Sequence, residues 1–168
     1  TSRIREKITS RTKAIMPVQL NGRAVDMEEV WEVAKEYDLA VVEDSAQGLF
    51  SKYKGKYMGT LSDAGCFSLS VAKLIPTGQG GFIATQRKDI YDKMRLMRTH
   101  GVDNVNTGTP FLSMGFNFRY TDIQASIGLV QLGKVKKRIE NLKLVYEKYR
   151  SGLSEIDYLK LIPVNIEQ

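Results

Sequence analysis

Two residues of this 168-residue chain pair a reactive group with a setting that would sharpen it: Lys73 and Asp44. Lys73 lies in FSLSVAKLIPTGQGG, among Val71, Ala72, Leu74 and Ile75. An amine in apolar surroundings gives up its proton more readily than a surface lysine, and the neutral amine is the form that makes an imine with a carbonyl. The same spacing also suits a loop lysine whose stem covers apolar surface while its head stays in water. Asp44 follows the short apolar run Ala40 to Glu43. A carboxylate partly withdrawn from water there would pair well with a cationic ring nitrogen, and an Asp capping the next turn fits the position too. Ser68 and the turn Thr77-Gly78-Gln79-Gly80-Gly81 add hydroxyls and approachable backbone N–H groups, the means by which phosphates are held.

Other chemistries lack their residues. No strand leads into a G-x-G-x-x-G, no G-K-[ST] ends the glycine turn, and no G-x-S-x-G marks a nucleophile elbow. One histidine, His100, and one cysteine, Cys66, cannot make a disulfide framework or a Cys/His zinc cluster, so no metal site is expected. Cys66 reads as an inert thiol in a buried strand, and His100 as a packing or loop residue.

The elements that must position these residues alternate. Ala14 to Gln19 reads as a strand despite Pro17. Asp26 caps a helix with Glu29 as reciprocal partner and with Met27, Val30, Ala34 and Tyr37 on one face. Strands Ala40 to Glu43, Gly65 to Leu69 and Gly81 to Thr85 follow, then a helix from Arg87 to Met97. His100 to Tyr120 reads as a long loop. Thr121 and Gln124 form a second capping box, and apolar spacing runs on from Ile123 to Tyr149, weakened at Gly128 and Gly133. Asp157 to Gln168 looks like the start of a strand. This order argues for an α/β fold, a mostly parallel sheet flanked by helices with a long C-terminal helix. Ligands of such sheets sit at the carboxyl ends of strands, which here means Asp44 to Gln47, Ser68 to Lys73 and Thr77 to Gly81.

With 42% hydrophobic residues, 26% charged residues and 4 Pro, the chain is neither disordered nor, lacking an apolar run near 20 residues, expected to meet a membrane. The net charge is +6; residues 1–84 hold 11 basic against 10 acidic residues, and residues 85–168 hold 14 against 9. The excess concentrates in Lys134 to Arg150, interleaved with Val135, Ile139, Leu142, Tyr146 and Tyr149. That pattern is a solvated helix face over an apolar stripe, with a surface attracting anionic partners as the alternative; nucleic acid as partner has only charge in its favour. The N-terminus has no initiator Met and no signal-like apolar core, suggesting a processed or internally cut chain of cytoplasmic origin.

EDSAQ at 43–47, YKGKYMGTLSDAGCFSLSVAKLIPTGQGGFIAT at 53–85, MRTHG at 97–101 and GFNFRYTDIQASIGLVQL at 115–132 together resemble the central part of the DegT/DnrJ/StrS sugar-nucleotide aminotransferases, pyridoxal phosphate enzymes of fold type I that serve polysaccharide biosynthesis. The resemblance runs from about Lys13 to Tyr149. It implies that Lys73 forms the imine with the cofactor and then carries a proton between cofactor and sugar, and that Asp44 pairs with the pyridinium nitrogen. It further implies Gln47 near the phenolic oxygen, Ala46 against a ring face, Ser68 on the phosphate, and Asn117 reaching the phosphate of the other subunit in a homodimer. Arg119 would face an anionic group of the substrate. A dehydrating branch of the family carries His at the lysine position, so Lys73 favours transamination from glutamate to a nucleotide-linked keto-deoxysugar.

Family members continue upstream into residues that complete the phosphate cup and stack on the ring, and downstream into a small domain. The resemblance therefore implies a single partial domain over 1–168, a fragment of the large domain that would bind the cofactor weakly. The competing expectation is an inactive α/β remnant that dimerises or binds a partner through the long loop and the basic helix.

Overall fold

The computed structural model describes residues 3–103 and 110–162. Its centre is a four-stranded sheet built from β1 (Ala14–Ile15), β2 (Ala40–Asp44), β5 (Ala64–Ser68) and β6 (Gly81–Ala84), in the order β1-β2-β5-β6. The first two pairings are parallel and β5–β6 is antiparallel.

The expected strand from Ala14 to Gln19 is interrupted. Ala14 and Ile15 pair with Ala40 and Val41, and Val18 meets Asp44 in the same register. Pro17 lacks an N–H to continue the ladder, but its carbonyl accepts from the Asp44 N–H at 2.9 Å. The Gln19 N–H then donates to the Asp44 carbonyl at 2.9 Å, so β2 is tied down up to its last residue.

Between β1 and β2 runs α1 (Met27–Glu36), started by Asp26, whose side chain accepts from the N–H groups of Glu28 and Glu29. Met27, Val30, Val33 and Ala34 are buried, and Met27, Val30 and Ala34 pack with Val41 of β2 as the core. Tyr37, expected on that face, is instead exposed past the last helical turn, and Val33 takes its place.

A short hairpin, β3 (Lys52–Tyr53) and β4 (Lys56–Tyr57), precedes β5. Its turn places Lys54 at φ 48° and Gly55 at φ 81°, the pair of positive φ values a two-residue hairpin loop favours. Gly65 is dictated by packing: a Cβ there would collide with the Gly59 carbonyl oxygen.

After β6 come α2 (Lys88–Arg98), α3 (Asp122–Gly133) and α4 (Val135–Leu153). Thr121 and Gln124 form the expected capping box on α3. The apolar spacing read as continuous from Ile123 to Tyr149 is divided at Lys134, which joins the two helices. The α4 stripe is not laid on a core: Val135, Ile139 and Tyr146 are half-buried, whereas Leu142 and Tyr149 are exposed. No strand forms from Asp157 to Ile162, and the rest of that expected strand lies outside the described residues, as does 104–109 of the long loop. Among the described residues no helix is long and apolar enough to cross a membrane.

Candidate active site

Alternation along β2 sends Val41 and Glu43 into the core and leaves Val42 and Asp44 on the other face. Glu43 is fully buried, and four donors meet its carboxylate: Gln19 Nε2 at 3.1 Å, Gly59 N at 2.7 Å, Leu61 N at 2.8 Å and Ser62 Oγ at 3.0 Å. Gln19, also fully buried, accepts the Val25 N–H on its Oε1 at 2.9 Å. A buried carboxylate is tolerable only when its lone pairs are satisfied in this way. The result is a rigid strand end from which Asp44 projects.

Asp44 is half-buried, and its Oδ1 accepts the Ala46 N–H at 3.1 Å. That is the turn-capping role, and it leaves Oδ2 available for a cation. In the neighbouring strand Asp44 stands in register with Cys66. Burial pushes the Cys66 thiol up from its ordinary pKa, and the Asp44 charge adds to the effect. Both work against the thiolate, which agrees with an inert cysteine.

Four of the residues singled out from sequence, Ala46, Gln47, Ser68 and Lys73, line one cavity of about 560 Å³ at the carboxyl ends of β2 and β5. Asp44 lies at the same strand end, two residues from Ala46, without forming part of the cavity wall. Asn117 and Arg119 are elsewhere. They are exposed, Arg119 Nε donates to Asn117 Oδ1 at 2.8 Å, and Asn117 bridges Thr99.

The cavity's far wall was not foreseen. It is the α4 face carrying Ile139, Leu142, Lys143 and Tyr146, one stripe of the helix read above as a solvated basic face. Arg138, counted in that charge run, is half-buried. Its Nη1 donates to the Leu74 carbonyl at 2.6 Å and its Nη2 to Gln131 Oε1 at 3.0 Å. The loop carrying Lys73 is closed at its base by Thr77, whose N–H donates to the Leu69 carbonyl at 2.9 Å. Gln124 of α3 holds its far side through the Gln79 carbonyl at 2.9 Å.

An amine and a hydroxyl thus line one strand-end cavity in an α/β sheet, and a carboxylate with one oxygen to spare stands at the same strand end. The family description that matches residues 1–168 is that of the DegT/DnrJ/EryC1/StrS aminotransferases. The chain belongs to this family. GDP-perosamine synthase of Caulobacter vibrioides is 44% identical over 149 residues, which is 89% of this chain and 40% of the relative. The solved structure of Helicobacter pylori PseC, an aminotransferase of pseudaminic acid biosynthesis by its description, superposes with a TM-score of 0.79 at 33% identity, covering 88% of this chain and 41% of that one. Escherichia coli GDP-4-keto-6-deoxy-D-mannose-3-dehydratase with bound hydrated pyridoxal phosphate superposes at a TM-score of 0.84 and 25% identity, over 96% of this chain and 46% of that one. The chain therefore spans about two fifths of the length of such relatives.

Pyridoxal phosphate is the cofactor of this family's aminotransferases, and the residues present fit it. Lys73 carries the amine that an aldehyde would need, and Asp44 Oδ2 the charge that a ring nitrogen would need. Ser68 Oγ, whose contact to Ser70 Oγ is a long 3.4 Å, has capacity left for a phosphate oxygen. Gln47 Oε1 already accepts the Asn21 N–H at 2.8 Å, so its Nε2 is the end that can donate to the phenolic oxygen.

Proposed function

We propose that this chain is the central part of a pyridoxal-phosphate-dependent aminotransferase that moves an amino group from glutamate to a keto-deoxysugar carried on a nucleotide. The observation that carries the reading is the presence of Lys73, with Ser68, Ala46 and Gln47, on the wall of the strand-end cavity. The fold is shared with a dehydratase and cannot choose between the chemistries; a lysine at this position supports amine transfer.

When bound, the cofactor supplies an electron sink that lets a C–H bond beside nitrogen break. Lys73 would hold the cofactor through its amine and would be the group that carries the proton during transfer. Asp44 would keep a proton on the ring nitrogen, and its own aim is fixed by the Ala46 N–H and by the ladder bonds it donates to Pro17 and accepts from Gln19. Ala46 offers a flat methyl to the ring, Gln47 donates to the phenolic oxygen, and Ser68 binds the phosphate. Asn117 and Arg119, on an exposed loop, would serve the neighbour's site in a homodimer, Asn117 at the phosphate and Arg119 at an anionic group of the substrate.

The test is borohydride reduction in the presence of pyridoxal phosphate followed by peptide mass spectrometry. A reduced adduct on Lys73 is expected, with weak cofactor binding and little or no glutamate-dependent amination by the 168-residue chain alone. An adduct spread over surface lysines with none on Lys73 would overturn the assignment.

A further inference from the structure

Lys73 can act only if its backbone is held, and its hold is unusual. Its N–H donates to the Ser70 carbonyl at 3.0 Å, a bond within the loop. Further on, Ile75 and Thr77 are buried and anchor the loop's return. Between Ser70 and Ile75, among the described residues, one hydrogen bond arrives from outside the loop, and it comes from Arg138, 64 residues away.

We infer that Arg138 is the positioning residue for Lys73, clamping the Leu74 carbonyl so that the lysine's Cα is fixed relative to Asp44 and Ser68. This rests on the reading of Lys73 given above. The carbonyl held is that of the next residue, and consecutive Cα atoms are only ~3.8 Å apart, so holding Leu74 restricts where the lysine chain starts. A charged donor to a carbonyl in a half-buried site makes a stronger bond than a neutral pair in water. The guanidinium is itself fixed by Gln131, which requires two donors in one plane. Arginine has that fork and lysine does not. The α4 helix thus both walls the cavity and sets the lysine at its mouth.

The experiment compares the parent with Arg138→Met and Arg138→Lys. Three quantities are read: amide exchange of residues 71–75 against that of β2 and β5, the rate at which borohydride traps pyridoxal phosphate on Lys73, and the melting temperature. For Arg138→Met, exchange at 71–75 should rise about tenfold with β2 and β5 unchanged, and trapping should slow by about tenfold, the scale of one charge-assisted hydrogen bond. Arg138→Lys, whose ammonium has three donors but no planar fork to reach Leu74 and Gln131 together, should recover part of both. The inference is overturned if 71–75 exchange and trapping both stay within about twofold of the parent, or if exchange rises equally across the sheet, which would mark general loosening. If the parent itself gives no adduct on Lys73, the reaction proposed above fails, and the exchange contrast alone then decides whether the clamp exists.

Discussion

In the proposed reaction Lys73 contributes chemistry and little packing, since it is half-buried on a cavity wall. Lys73→Ala should therefore abolish adduct formation and transamination while moving stability by no more than about 0.5 kcal/mol, checked by mass spectrometry and a urea melt on the same sample. Asp44 can be tested without cofactor through its neighbour. Burial is the main reason the Cys66 thiol is raised, but the Asp44 carboxylate adds to it, so Asp44→Asn should lower the pH at which Cys66 reacts with iodoacetamide. Unchanged reactivity would mean that the two groups do not sense each other. In the cofactor-loaded protein the same substitution should slow proton removal, because an amide cannot hold the pyridinium proton. The strand-end placement of Lys73, Asp44 and Ser68 was legible in the sequence because each sits in a short run whose neighbours reveal its setting, whereas a role for Gln47 came only with the resemblance. Glu43 and Arg138 were not. The partners of Glu43 lie 16 to 24 residues away and the Leu74 carbonyl that Arg138 holds lies 64 away, and Arg138 was concealed in a run of ordinary surface charge.

The elements were legible to different degrees for reasons of range. The Thr121–Gln124 capping box is a local signal and forms as read, whereas the break in the first strand depends on what Pro17 can offer to β2. The hairpin β3–β4 escaped notice because Lys54, not Gly or Asn, occupies its first turn position. One link between elements carries a pH signature. Asp63, just before β5, accepts the Val41 N–H at 2.9 Å and pairs with Arg87 at 2.9 Å, and these hold its carboxyl below the ordinary 3.8 against the opposing effect of burial. A pKa lower in the folded than in the unfolded state means the stabilisation is complete above the unfolded value and is lost as pH falls through the folded one. Urea melts of Asp63→Asn between about pH 2 and 6 should accordingly show a shallower decline below about pH 4 than the parent's.

At the scale of the whole molecule, the loop that carries Asn117 and the start of α3 expose Phe111, Met114, Phe118 and Ile123, each at 69% or more. Apolar side chains so exposed are the kind that association covers. They support the homodimer proposed above, and sedimentation equilibrium should return twice the 19.0 kDa chain mass; a monomer at high concentration would count against it.

The Glu43 cluster governs how the chain reaches this state. Its donors come from Gln19 and from Gly59 to Ser62, segments on either side of β2 in sequence, so the carboxylate stays in water until both have docked. Stranding it half-paired in the core would cost several kcal/mol, which makes its burial a late event, after the folding transition state has passed. Ser62→Ala should then leave the folding rate near the parent's and speed unfolding, a φ-value near zero in stopped-flow measurements. The strand end that aims Asp44 would be the last part of the sheet to set, and the lifetime of the folded chain would depend on it.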